Sequence, residues 1–395
     1  MSKIDLSSYA GREQAYVKHC LLEKYLAPLV YKVGNAWDSI VYVDGFSGPW
    51  QVTDPELTDS SFGVAVETLR RAHVGLHDTK GRNVPIDAIL VEANKDAFAK
   101  LQAFAAKKTL PNFRVHALCG EFVSRISTIN RLVNRHCRNP FRFVFLDPKG
   151  WADIPMQELQ PFLTDRSCEV LVNLMTRHIT RFLDEDDRAD SYKKLFGRPE
   201  VLEKLRKTPK EDNEQAEQAV REYCRSLRQL CNFKYVSSAV ILEPNEESIR
   251  YFLVYATNAV HGIDVFKQAE VAAAQTQDYI RHETRITKAR QPELMLESEP
   301  PKSRLAIRLR ERYCSRARRK VIEVLRKNSD PNGTRYEDLF CEAMAFPLVT
   351  PTDLTNWLEE WDSHIELRLA GSSKREKLSP ASDDRIVVVQ SSGLN

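Results

Sequence analysis

Ser39-Ile-Val-Tyr-Val-Asp44 runs straight into Gly45-Phe-Ser-Gly48, and the reading of the whole chain starts from this stretch. Its β-branched and aromatic residues make a short strand. The strand ends in an acid and opens onto a turn, where glycine lets the backbone approach a ligand closely because no Cβ intervenes. A pyrophosphate-binding turn would carry G-x-G-x-x-G and open directly into a helix whose N-terminus faces the anion. Here only two glycines appear, and a long loop, Pro49 to Ser61, delays the helix expected over Phe62–Ala72. The pattern favours a cofactor without a pyrophosphate, with a plain strand-to-loop turn as the alternative.

The same arrangement recurs outward from this point. Apolar spacing predicts a helix over 12–31 before the strand. After it come a strand at 88–91 closed by Glu92, a helix over 96–107, and a strand at 113–118 ending in Cys119-Gly-Glu-Phe122. A helix over about 122–137, a strand at 141–146 ending in Asp147-Pro-Lys-Gly150, a helix over 155–163 and a strand at 170–174 follow. Such alternation predicts a mostly parallel sheet covered on both faces, with ligands outside the carboxyl ends of its strands. Residues 184–230 are charged and helical in pattern, as in an insertion or cap. Strands at 235–242 and 249–257 are joined by Glu243–Ser248, too short for a crossover, so they must pair antiparallel. The expected fold class is therefore α/β and Rossmann-like, and a parallel sheet finished by an antiparallel hairpin resembles the class I methyltransferase sheet. Beyond a polar linker at 291–303, helices at 305–327, 336–345 and 352–361 and strands at 365–369 and 385–389 predict a winged helix-turn-helix over 304–395. Residues 1–290 would form the first domain.

With 395 residues the chain suits two domains or one elaborated one, since single cores rarely grow past roughly 250–300 residues. No apolar run reaches the roughly 20 residues of a membrane helix, and the N-terminus carries no secretory pattern, so no membrane association and a cytoplasmic location are expected. None of the eight cysteines forms a C-x-x-C pair. The expectation is reduced thiols, with neither disulfide nor structural metal. The net charge of +3 is small, yet residues 302–320 hold nine basic side chains and one acidic one. That segment, more than the total, points to a polyanion.

The polar strand ends are the candidate site. Asp44, Gly45, Phe46 and Gly48 would shape the first turn around a cofactor. Glu92 could accept both hydroxyls of a ribose, or simply face solvent. Glu121 could accept from an adenine amino group, or stabilise a helix start. Asp147-Pro148 is rigid because the proline ring fixes its own backbone and restricts the aspartate. A fixed carboxylate there could aim an acceptor nitrogen for methyl transfer, whereas the bland reading is a turn that ends a strand. Asn173, Arg177 and His178 follow the fifth strand, and His178 and His19 read more simply as structural. Arg308, Arg312, Arg316, Arg319 and Lys320, with Lys374 and Arg375 of the wing loop, are candidate phosphate contacts. The competing reading pairs the basic helix with the acidic 184–217 region.

Several short segments carry a family resemblance: Lys18-His-Cys-Leu-Leu-Glu-Lys-Tyr-Leu26, Tyr42-Val-Asp-Gly-Phe-Ser-Gly-Pro49, Phe145-Leu-Asp-Pro-Lys-Gly150, Val170-Leu-Val-Asn173 and Tyr255-Ala-Thr-Asn-Ala-Val-His-Gly262. Leu378-Ser-Pro and Asp384-Arg-Ile386 close the series. In this order they resemble the bacterial three-Cys-motif partner protein family. The resemblance implies a class I methyltransferase-like domain with a C-terminal winged helix, S-adenosylmethionine as cofactor, and a separate three-cysteine partner similar to radical-SAM enzymes. Two positions depart from the family pattern: Trp50 stands where the first loop usually ends in glycine, and Lys149 where an aromatic is common. The leading expectation is methyl transfer to a nucleic-acid nitrogen. A degenerate methyltransferase fold acting as a nucleic-acid or protein adaptor is the alternative, and a nicotinamide-dependent oxidoreductase is disfavoured by the missing third glycine.

Overall fold

A computed structural model describes residues 7–48, 52, 54–165, 167–289, 302–370 and 378–389. Trp50, Lys374, Arg375 and most of the 291–303 linker lie outside the described residues.

The first unit alternates as its sequence predicts. Helix α1 (Glu13–Val33) leads to β1 (Ser39–Asp44), α2 (Ser61–Lys80), β2 (Ile86–Glu92), α3 (Lys95–Lys108) and β3 (Phe113–Cys119). Then come α4 (Phe122–His136), β4 (Pro140–Leu146), α5 (Met156–Leu163) and β5 (Cys168–Leu174). The charged segment forms α6 (Thr176–Arg181), α7 (Ala189–Phe196), α8 (Val201–Arg206) and α9 (Glu214–Leu230). Strands β6 (Tyr235–Leu242) and β7 (Ile249–Thr257) complete a seven-stranded sheet of order β3-β2-β1-β4-β5-β7-β6. β7 runs antiparallel to both β5 and β6, whereas β1 to β5 are parallel. This is a Rossmann-like α/β sheet whose last strand is inserted rather than appended to the order 3-2-1-4-5-6.

Strands β1, β2 and β5 are buried along their whole length, as parallel strands covered on both faces must be. The chain reverses its direction across the sheet after β3, so right-handed crossovers put α2 and α3 on one face and α4 and α5 on the other. Ring contacts follow that division: Phe62 of α2 meets Phe104 of α3, and Phe122 of α4 meets Phe162 of α5. Side-chain caps start the helices on the sheet's flank. Ser60 Oγ accepts from the Gly63 N–H (2.9 Å), and Asn94 Oδ1 from those of Asp96 and Ala97 (3.0 and 2.9 Å).

One long element is absent from the sequence reading. Helix α10 (Val260–Ala289) packs along α1 and β6 and carries Lys267, Glu270, Gln277 and Arg281 on its buried side. Each has a partner there. Gln277 Oε1 accepts from the Leu242 N–H (2.7 Å), Arg281 donates to the carbonyls of Glu243 and Glu246, and Lys267 pairs with Glu270 (2.5 Å). These polar residues interrupt the apolar stripe that marks an amphipathic helix.

The C-terminal segment holds α11 (Arg304–Lys327), β8 (Thr334–Arg335), α12 (Tyr336–Met344), α13 (Pro351–Glu360), β9 (Ile365–Arg368) and β10 (Arg385–Val388). Its three strands pair antiparallel in the order β8-β10-β9. Thr350 and Asp353 form a reciprocal capping box at α13. This segment is bonded to the first unit. Ser237 of β6 donates to the Met344 carbonyl (2.6 Å), Lys267 to that of Phe346 (2.8 Å), and Glu270 accepts from the Leu348 N–H (2.8 Å). No helix among the described residues is long and apolar enough to cross a membrane. All eight cysteines are free thiols, and Cys168, Cys231 and Cys341 are buried.

Candidate active site

A cleft of about 410 Å³ opens at the carboxyl ends of the parallel strands. Gly45 and Phe46 after β1, Glu92 at the end of β2, Gly120 and Glu121 after β3, and Asp147 after β4 all line it. Five of the residues singled out from sequence therefore share one crevice, although Glu92 and Asp147 are 55 positions apart. Lys149, Asp153 and Glu158 line it as well.

The turn after β1 is glycine for lack of room. A Cβ on Gly45 would stand 2.9 Å from Leu146 Cδ2 and 3.0 Å from Phe122 Cγ. Gly120 is glycine for conformation: its φ of +132° is one that residues with a Cβ rarely adopt. Its N–H donates to the Glu92 carbonyl (2.9 Å), which holds the ends of β2 and β3 together at the cleft. Glu92 is buried, and its Oε1 accepts from the Asn94 N–H (2.6 Å). A carboxylate held at one oxygen can still accept at the other. Glu121 is exposed at the start of α4.

Asp44 differs from the sequence expectation. It is fully buried and lies under the cleft instead of lining it. Its Oδ1 accepts from the Phe46 N–H (3.0 Å), so the side chain fixes the turn from beneath. Burial pushes its carboxyl up to about 7, opposed by that N–H and reinforced by the negative charge of Asp147. Gly48 and Pro148 are also buried outside the lining. Only the middle of Asp44-Gly-Phe-Ser-Gly48 reaches the cleft, because the chain turns down into the core on either side.

Asp147 is not an unencumbered carboxylate. Lys18 of α1 forms an ion pair with its Oδ2, and Asn173 Nδ2 donates to its Oδ1 (2.6 Å). Asp147 and Lys18 are both largely enclosed, with side-chain exposures of 16% and 12%. Lys18 is the residue that sequence reasoning left without a role; its one signal was its place in the first quoted motif. Neighbouring His19 is buried against Tyr9, whose hydroxyl lies 3.0 Å from Nδ1. Burial and the nearby Lys18 and Arg12 charges hold its imidazole well below the usual range, which makes it a neutral core group. Arg177 pairs with Glu243 (2.6 Å), and His178 is exposed on α6.

The expected polyanion surface on α11 is divided. Arg312 and Arg316 both pair with the buried Glu217, and Arg316 also with Glu214, all across to α9. Arg310 pairs with Asp353 (2.6 Å) and Arg318 with Glu360 (2.6 Å). The structure thus commits Arg312 and Arg316 to carboxylates of the acidic insertion, because their side chains reach Glu214 and Glu217 of α9. Arg308 and Arg319 remain exposed, and Lys320 is partly exposed beside Glu323 (3.3 Å).

No family model matches the sequence, and no curated protein matches it. Solved structures do show a likeness. An O-methyltransferase from Bacillus cereus in complex with SAH is 12% identical, with a TM-score of 0.29 over 60% of this chain and 80% of that one. A cofactor-bound protein from MTB is 10% identical, with a TM-score of 0.30 over 60% and 79%. A protein from Legionella pneumophila is 13% identical, with a TM-score of 0.33 over 63% and 86%. At such scores the order of the strands is the firmer guide to the fold.

The charge of the cleft narrows its ligand. Five acids line the cleft, Glu92, Glu121, Asp147, Asp153 and Glu158, against the lining ammonium of Lys149 and that of Lys18, which pairs with Asp147. Partial desolvation raises the Asp153 carboxyl above its usual range, against a backbone bond from Gly150 and with Glu121 adding to the rise. An acidic, partly enclosed site repels a pyrophosphate and attracts a cation.

Proposed function

We propose that the cleft binds S-adenosylmethionine and that the protein is a methyltransferase of the class I kind. The acidity of a cleft built from successive strand ends carries this reading, because the cofactor holds a sulfonium and an ammonium and no phosphate. The strand order with β7 inserted antiparallel supports it, as that is the sheet expected of the class. Glu92 would hold the ribose, Glu121 the adenine edge, and the Gly45–Phe46 backbone the methionine end. Bound there, the cofactor would supply an electrophilic methyl group. The chain's own contribution would be orientation: Asp147, fixed by Lys18 and Asn173, would accept from the N–H of an incoming amine and set its lone pair in line. Calorimetric titration with S-adenosylhomocysteine tests this. Binding in the micromolar range, weakened at least about tenfold by Glu92→Ala, is expected. No heat at about 0.5 mM ligand would exclude it.

For the acceptor we infer nucleic acid, held by the C-terminal unit read as a winged helix. Three helices with a small antiparallel sheet support that reading, as do the exposed Arg308 and Arg319. A three-Cys-motif partner follows from the family resemblance alone. Affinity for duplex DNA or RNA that falls with salt, and falls further in Arg308→Ala/Arg319→Ala, is the expected result; salt-independent binding counts against it. The engagement of both Asp147 oxygens favours a second reading, an adaptor that binds the cofactor without transferring its methyl. Methyl transfer abolished by Asp147→Ala would decide for the enzyme.

A further inference from the structure

A second cleft, of about 400 Å³, lies where α9, β6 and β7 meet the C-terminal helices α11 and α12, and it shares no lining residue with the first. Its apolar part comes from Val220, Val236, Phe252, Phe346 and Pro347. Its charged part is cationic. Arg221, Arg225 and Arg228 lie on one face of α9 at helical spacing, and Arg316 and Lys320 lie one turn apart on α11. Against these five stand two lining carboxylates, Glu217 and Glu342.

The acids nearby do not balance that charge, because Glu222 and Glu217 each serve several cations. Glu222 is shared by Arg225 (2.6 Å), Arg198 (2.9 Å) and Lys204 (3.8 Å). Glu217 is shared by Arg312 and Arg316 and also accepts from the Tyr313 hydroxyl (3.1 Å). Glu342 meets Arg228 at 3.2 Å. Arg221 is the least compensated. Its hydrogen bonds go to the neutral Gln218 Oε1 (3.0 and 2.7 Å), and Glu214 and Glu217 approach it only to 4.0 Å. Its side chain is 41% exposed at the mouth of the cleft; partial desolvation lowers its guanidinium below the usual range, Glu217 opposes the fall and the Arg316 charge adds to it. Such a concentration of positive charge around one cleft attracts an anion.

We propose that this cleft is a second ligand site, for an organic phosphate with a planar ring, of the nucleoside monophosphate kind. The cleft is far larger than a bare anion needs and falls in the size range of small-molecule sites. Guanidinium groups bind phosphate oxygens in a bidentate fork and stack on flat rings. The apolar floor would take the ring, and Arg221, Arg225 and Lys320 the phosphate. An occupant would touch α9 on one side and α11 and α12 on the other, so it would fasten the C-terminal segment to the sheet. The proposal does not depend on the methyl-transfer reading.

Titration calorimetry of the full chain with guanosine 5′-monophosphate tests it, since a base other than adenine separates this site from the first cleft. Saturable binding near about 0.1 mM is expected, with guanosine alone and inorganic phosphate alone each at least about tenfold weaker. Arg221→Gln/Arg225→Gln should weaken binding by at least about tenfold, and Glu92→Ala should leave it unchanged. If the double variant melts early, Lys320→Gln, on the partly exposed rim of α11, should show the same weakening at smaller size. Absence of saturable binding overturns the proposal. So does phosphate binding as tightly as the nucleotide, or equal weakening by Glu92→Ala.

Discussion

Replacing Asp44 by asparagine should stabilise the protein at neutral pH and flatten its stability against pH. Asp44 is fully buried, and its carboxyl is raised from 3.8 to about 7. In the unfolded chain the same group is ionised above about pH 4. Between those values the folded protein binds the extra proton, so its stability falls as pH rises. A gap of about three pKa units corresponds to roughly 4 kcal/mol once both states are ionised. Over the interval from pH 5 to pH 8 the change from this group is about 2.5 kcal/mol. Asparagine keeps the oxygen that accepts from the Phe46 N–H and carries no charge to bury. Urea unfolding of parent and variant at pH 5 and pH 8 checks this, and the comparison cancels the titrating groups that do not interact with Asp44. Parallel pH profiles, or a variant less stable than the parent at pH 8, would refute the reasoning.

Lys18→Met should destabilise the fold by about 2 kcal/mol, because it leaves Asp147 enclosed without its cation. Adding Asp147→Asn should recover part of that loss, measured as a non-additive double-mutant cycle. Glu217→Gln removes the carboxylate that Arg312 and Arg316 share, and should cost about 3 kcal/mol. Limited proteolysis should then release residues 302–395 faster than in the parent. Gly120→Ala forces a Cβ onto a backbone at φ +132° and should lower stability by about 1–2 kcal/mol, read from thermal unfolding.

The sheet was legible because each strand announces itself locally. Ser39–Asp44, Tyr235–Leu242 and Ile249–Thr257 are found at the bounds their composition predicts, and the short connection between the last two forces them antiparallel. Helix α10 was not legible. Its buried face carries Lys267, Glu270, Gln277 and Arg281, whose partners lie on β6, in the turn after it and in the C-terminal segment, so nothing within the helix marks that face as interior.

The polar strand tips, too, were readable in order, and the parallel sheet gathers Gly45, Phe46, Glu92, Glu121 and Asp147 because all its strands end on one side. What the chain order could not convey is which charges meet. Lys18 reaches Asp147 across 129 positions, Arg312 reaches Glu217 across 95, and Asp44 turns under the cleft while its neighbours line it. Periodicity and turn chemistry act over a few residues and are written in the sequence. Ion pairing and burial depend on distances set only after the helices dock, so the tertiary structure alone decided them.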